Sequence, residues 1–246
     1  MKSQPIAFFD SGIGGTTILK DTIKLLPNEK YIYYPDSKNI PYGNKSKEEL
    51  FEIVDNVVKN LIKYNPKIIV CACNTATAMV LNDIRAKYKE YTFVGTEPAV
   101  KVVHDNFSDK KTIILTTKGT GHSEKFQELL KQYGSQNTTL IEAPLLAELI
   151  EQEKDCYQYL KTLLSNHNNI DIVVLGCTHF PLAKKAIAKI LGPVTFIHGG
   201  PGIANRIKNL LIEQNLPINS DTFDLNIISE DSNTKCKIKK ILKTEF

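Results

Sequence analysis

Nine short apolar runs, each four or five residues long, recur along this chain of 246 residues with longer amphipathic stretches between them. They occupy residues 6–9, 31–34, 68–72, 92–95, 112–116, 139–142, 172–176, 194–197 and 225–229. Runs of that length bounded by polar turns predict buried strands. Strands separated by helices pair through crossovers rather than hairpins, which gives parallel sheets with helices on both faces. Leu50, Ile53, Val54, Val57, Val58, Leu61 and Ile62 carry the spacing of one buried helix face. Ser46 followed by Glu49 predicts a capping box at the start of that helix. The fold class is α/β.

Two of the runs end at a thiol. Ile68-Ile69-Val70-Cys71-Ala72-Cys73-Asn74-Thr75 is the first, and Ile172-Val173-Val174-Leu175-Gly176-Cys177-Thr178-His179 follows roughly a hundred residues later. A cysteine at the carboxyl end of a strand, facing a helix N-terminus, lies where an open α/β sheet binds its ligand and where a thiolate is favoured. Two such motifs predict two facing thiols and two related half-units. Glu97-Pro98, directly after a run, marks a crossing into a second lobe, and a return near residues 206–211 lets the last strand and helix rejoin the first. The expected lobes are residues 1–97 with 207–246, and residues 98–206. Asp10-Ser11, Asp36, Thr117 and Thr178-His179 also follow runs, so they converge on the same crevice.

Charge and cysteine usage exclude several classes. The formal charge is +4, and much of the excess lies in Lys235, Lys237, Lys239, Lys240 and Lys243, which read as a solvated helix face rather than a nucleic-acid footprint. Five cysteines outside any loop-rich framework do not make a disulfide scaffold. Met1-Lys2-Ser3-Gln4-Pro5 leads almost at once into the first run, leaving no room for a signal peptide. No run approaches the ~20 residues of a membrane span. The expectation is a protein of the reducing cytoplasm.

Several motifs have bland readings. Asp10-Ser11-Gly12-Ile13-Gly14-Gly15-Thr16-Thr17 fits neither the dinucleotide fingerprint nor the P-loop, and an aspartate ahead of the glycines repels phosphate. The turn is read as receiving a small carboxylate or ammonium group. Pro41-Tyr42-Gly43-Asn44 reads as a rigid loop presenting a phenol and backbone groups. Asn74-Thr75 and Thr178-His179 are candidate helix caps. Cys71, Cys73, Cys177 and His179 form a possible zinc set, but Cys71 lies inside the apolar run as a small core residue. Cys156 and Cys236 are read as incidental, and His104, His122 and His167 as surface residues. Glu151 has the pattern of an ordinary exposed acid.

Together, Phe9-Asp10-Ser11-Gly12-Ile13-Gly14-Gly15, Pro41-Tyr42-Gly43-Asn44-Lys45, Cys73-Asn74-Thr75-Ala76, Gly119-Thr120 and Gly176-Cys177-Thr178-His179-Phe180-Pro181 resemble the glutamate racemase family in order and spacing, over about residues 6–200. The resemblance implies an isomerase of two pseudo-symmetric lobes with the active site in the cleft between them. It needs no cofactor and no metal, and interconverts L- and D-glutamate for cell-wall peptidoglycan. It assigns the acid–base pair to Cys73 and Cys177, with Asp10 supporting the first and His179 the second, and aligns Glu151 with a further acid. Asp10, Ser11, Tyr42, Gly43, Asn74, Thr75, Thr117, Thr178 and His179 are the implied substrate-binding residues. Glutamate is the expected small-molecule partner, a homodimer the expected assembly, and neither nucleic acid nor membrane is expected. The alternatives are a racemase of another acidic amino acid such as aspartate, a catalytically quiet binding protein on the same fold, and a zinc-holding structural protein. The chain departs from the family at His198-Gly199, where an Asp-Ser-Gly run is usual, and at Thr96, where an aliphatic residue is usual.

Overall fold

The computed structural model describes residues 4–216 and 223–244, and within them the nine apolar runs become nine strands. These are β1 (Ile6–Asp10), β2 (Lys30–Pro35), β3 (Ile68–Cys71), β4 (Phe93–Gly95), β5 (Thr112–Thr116), β6 (Thr138–Glu142), β7 (Ile172–Gly176), β8 (Thr195–His198) and β9 (Asp224–Ile227). Among the described residues twelve helices connect them. The first six are α1 (Thr16–Leu25), α2 (Lys47–Ile62), α3 (Asn74–Met79), α4 (Leu81–Lys87), α5 (Val100–Phe107) and α6 (Lys118–Gly121). The others are α7 (Glu124–Tyr133), α8 (Leu146–Glu151), α9 (Tyr157–Leu164), α10 (Lys184–Leu191), α11 (Gly200–Glu213) and α12 (Ser232–Lys243). No described helix is long and apolar enough to cross a membrane. Met1, Lys2 and Ser3, on which the signal-peptide reading partly rests, lie outside the described residues.

The strands form two wholly parallel sheets, ordered β4-β3-β1-β2-β9 and β6-β5-β7-β8. Setting β5 to β8 against β1 to β4 makes the neighbours match. β1 lies between β2 and β3, β5 between β6 and β7, and β4 and β8 lie outside. The two units are pseudo-symmetric, and β9 extends only the first. Each has a switch point beside its opening strand, where the strand order reverses and α/β sheets bind ligands.

Central strands β1, β3, β5 and β7 are buried at every residue, as expected for strands covered on both faces. Side-chain alternation splits β1 between two cores. Ile6 and Phe8 pack with Ile18 of α1, Ile207 of α11 and Ile238 of α12, whereas Ala7 and Phe9 pack with Leu50 and Val54 of α2 and Ile84 of α4. The capping box forms as far as Ser46, whose Oγ accepts the Glu49 N–H at 3.1 Å.

The chain crosses between the sheets twice, and the crossings touch. A Cβ on Gly199 would lie 2.7 Å from Thr96 Oγ1 and 3.3 Å from the Glu97 carbonyl oxygen. The two departures from the family pattern therefore accommodate one another: the glycine leaves room for the threonine hydroxyl. From there α11 packs along α1.

The helical periodicity of α2 hides one charged residue. Asp55 is buried on its inner side, accepts from Tyr88 Oη at 2.7 Å and pairs with Lys59 at 2.7 Å and Lys87 at 2.6 Å. Burial alone pushes its pKa up, but these three partners outweigh burial and hold it at about 2. An unfolded aspartate titrates near ~3.9, so this contribution is complete above about pH 4 and is lost as pH falls through 2. Lys59 and Lys87 are about half exposed, which screens the pair to about 1 kcal/mol. Asp55→Asn should lose that stability near pH 7, and its urea midpoint should converge on the parent's as pH approaches 2.

Candidate active site

Residues that directly follow β1, β3, β5 and β7 meet in one narrow pocket between the sheets. Ser11, Cys73, Thr117 and Cys177 line it, with Asn74, Thr75, Thr178 and His179 beside them and Tyr42 and Gly43 on a loop from the first unit. Ten of the twelve residues expected at the site thus line one pocket. Asp10 and Glu151 do not reach it; each stands behind a residue that does.

Asp10 is completely buried. Its Oδ2 accepts the Gly15 N–H at 2.8 Å and the Gly12 N–H at 3.4 Å, and Thr178 Oγ1 lies 3.3 Å from both carboxylate oxygens. Burial raises its pKa, against the attraction of His179 and the Gly15 N–H. Glu151, read from its pattern as an exposed acid, is instead nearly enclosed. Its Oε2 accepts the Ile13 N–H at 2.9 Å and lies 2.8 Å from His179 Nε2, while Oε1 accepts Ser37 Oγ at 3.1 Å. The carboxylate that the glycine-rich turn receives is thus the protein's own.

That packing explains the glycines. A Cβ on Gly12 would lie 2.3 Å from Glu151 Oε2, and one on Gly14 would lie 2.3 Å from His179 Nδ1. Gly12 and Gly14 carry no side chain because a carboxylate and an imidazole of the opposite unit lie against them.

The two thiols are dressed differently. Cys177 Sγ is 3.9 Å from His179 Nδ1, so Cys177, His179 and Glu151 form a chain that ends in the Ile13 N–H. Burial disfavours the imidazolium, but the hydrogen bonds to Cys177 and Glu151 outweigh it and hold the His179 pKa well above its ordinary value. For Glu151, burial is likewise outweighed by His179, Ile13 and Ser37, so its pKa is lowered. On the other wall, burial drives the Cys73 pKa well up, and the nearby Asp10 adds to it. Cys73 occupies the N-cap position of α3, where the Ala76 N–H opposes that rise.

Several bland readings give way. Neither Asn74 nor Thr75 caps its helix, since both already lie inside α3. Thr178 spends its hydroxyl on Asp10. The Tyr42 phenol is buried rather than presented, donating to Asp36 Oδ2 at 2.6 Å. Thr75 Oγ1 lies 3.0 Å from Thr117 Oγ1 and 3.3 Å from Thr120 Oγ1, which joins the two units through a cluster of hydroxyls. Cys71 packs in the α2 core with its thiol on the Cys73 carbonyl oxygen and its pKa pushed by burial to about 12. Among the described residues no group of His, Cys, Asp and Glu is arranged to hold a metal, so the four-residue zinc set does not form.

Sequence reasoning missed Ser37, Lys118 and Ala147. Lys118 and Ala147 line the pocket, and Ser37 holds Glu151. Lys118 lay one position from two flagged residues, Thr117 and Gly119, and Ser37 lay one position from Asp36.

Gly14→Ala should drive a methyl into His179 and cost about 1–3 kcal/mol. At Gly202, where a Cβ meets nothing within 4 Å, the same change should stabilise α11 by about 0.5–1 kcal/mol. Urea midpoints of the two variants against the parent test the contrast.

Comparison with known proteins bears on this geometry. A family model described as Asp/Glu/hydantoin racemase matches residues 24–206. A glutamate racemase of Clostridium botulinum is 38% identical over 98% of this chain and 96% of its own. One of Clostridium acetobutylicum is 39% identical over 100% of this chain and 94% of its own. Among solved structures, Escherichia coli glutamate racemase in complex with L-glutamate and the activator UDP-MurNAc-Ala aligns with a TM-score of 0.84 and 28% identity, covering 97% of this chain and 95% of that one. The Francisella tularensis enzyme with D-glutamate aligns with a TM-score of 0.82 and 27% identity, covering 100% and 96%.

Proposed function

Because this chain belongs to the glutamate racemases of the Asp/Glu/hydantoin racemase family, which are isomerases, we propose that it interconverts L- and D-glutamate with two cysteines and no cofactor. The observation that carries this reading is the unequal dressing of two thiols on one pocket.

Racemisation removes the α-proton from one face of the carbon and returns a proton to the other. The buried Cys73 thiol, with Asp10 behind it, is the proton-holding partner in the unliganded site. Cys177 faces an imidazole held as a cation by Glu151. The Cys177 thiolate takes the α-proton while Cys73 delivers its own to the opposite face. The site is then left with a Cys73 thiolate and a Cys177 thiol, ready for the other enantiomer. The α-proton beside a carboxylate is very weakly acidic, so the developing charge requires preorganised donors in a water-poor cleft. Ser11, Asn74, Thr75, Thr117 and the backbone of the Tyr42-Gly43 loop are disposed to bind the two carboxylates. D-Glutamate made this way would feed peptidoglycan synthesis.

In deuterated water with a chelator and no added cofactor, L-glutamate should acquire α-deuterium and yield D-glutamate. Cys73→Ala and Cys177→Ala should each lower the rate by about a thousandfold or more. A folded protein that exchanges no α-proton would sink the reading.

Glu151→Gln removes a contact that raises the His179 pKa, so the imidazolium supporting Cys177 is lost at lower pH. The alkaline limb of the kcat/KM profile should therefore move to lower pH, measured by polarimetry across pH 5–9. The acidic limb, where His179 is protonated in both proteins, should stay in place.

A further inference from the structure

Glu151 is the last residue of α8, and the end of that helix is closed in an unusual way. Gln152 N–H bonds to the Glu148 carbonyl at 3.0 Å, Glu153 N–H to Ile150 at 3.0 Å and Lys154 N–H to Leu149 at 2.9 Å. Glu153 adopts the left-handed conformation at φ 53°. This is the Schellman closure with a glutamate where glycine is usual. It serves three of the last four helical carbonyls and leaves that of Glu151. Lys237, on α12, takes it: its Nζ donates to the Glu151 main-chain oxygen at 2.8 Å.

α12 belongs to the opposite unit, where Ile238 and Ile241 pack in the core of the first sheet. The Lys237 side chain is only 15% exposed and lies 3.6 Å from Glu153 Oε2, and Lys240 lies 3.8 Å from Glu153 Oε1. A cation at a helix C-terminus is favoured by the helix dipole. Glu151 is therefore gripped from the first unit at three points: the Ile13 N–H, the Ser37 hydroxyl and Lys237. Only Lys237 holds its backbone.

Resting on the two-thiol reading of the site, we propose that Lys237 is a positioning residue. By capping the Glu151 carbonyl it sets the carboxylate that holds His179 over Cys177, so the C-terminal helix serves the acid–base chemistry without reaching the pocket. A purely structural tether predicts lost stability and nothing more. A positioning role predicts that loosening the Glu151 backbone weakens the Glu151–His179 contact and lowers the His179 pKa.

The test is Lys237→Met, which keeps the aliphatic stem, beside Lys237→Arg, which keeps a donor. Lys237→Gln, too short to reach, is a second variant with the same expectation should the methionine protein fold poorly. In ¹⁵N-imidazole titrations of the full-length protein, His179 should titrate at lower pH in the Met and Gln variants and at its parental value in the Arg variant. The kcat/KM of the Met variant should fall roughly tenfold, with its alkaline limb moved to lower pH. Lys240→Met, which removes an ammonium paired with Glu153 rather than one bonded to Glu151, should leave both readouts unchanged. An unmoved His179 titration in folded Met and Gln variants overturns the proposal, as does a shift the Arg variant fails to reverse. Because the titration needs no substrate, it decides the role of Lys237 even if the parent protein fails to exchange the glutamate α-proton.

Discussion

One carboxylate holds the two halves of this molecule in their working arrangement. Glu151 projects from the second unit into the backbone turn after β1, where it accepts the Ile13 N–H while its other oxygen accepts Ser37 and its first also meets His179. A charged acceptor in a nearly closed site must find donors or be neutralised. Here the donors come from both sheets, so the contact forms only when the sheets face one another. Gly12 and Gly14 of the turn and the placing of the imidazole beside Cys177 follow from this packing.

The pseudo-symmetry of the sheets makes the asymmetry of the thiols informative. Cys73 and Cys177 follow equivalent strands, β3 and β7, at equivalent switch points. Backbone geometry alone would make them alike. The difference lies in the second layer: a fully buried aspartate behind one wall, and a histidine–glutamate pair beside the other. Two-base chemistry needs one partner protonated and one not, and a symmetric scaffold supplies that only if its supporting residues break the symmetry.

Much of this was legible in advance because it depends on local periodicity. The strands announce themselves as fully apolar runs, since parallel strands covered on both faces have no polar side. Residues just past strand ends gather at one pocket, because a parallel sheet delivers every such end to one edge. Glu151 was not legible from its pattern: it closes a short helix, and nothing local distinguishes it from an exposed acid such as Glu128. Lys237 was lost in a run of lysines read as a solvated face, a reading that suits Lys239, Lys240 and Lys243 but not Lys237, whose side chain is only 15% exposed. Tyr42 was placed in the right loop, yet its phenol turns inward to Asp36.

The sequence by itself determined the class of fold, the two thiols and their neighbours at strand ends, and the glycine turn, for each follows from the order and size of adjacent residues. Only the tertiary structure decided what the turn is for, which carboxylates face inward and which lysine reaches across. Those contacts join residues up to a hundred or more positions apart, such as Ile13 and Glu151. Their partners are chosen by how two sheets pack, and sheet packing leaves no periodic signature along the chain.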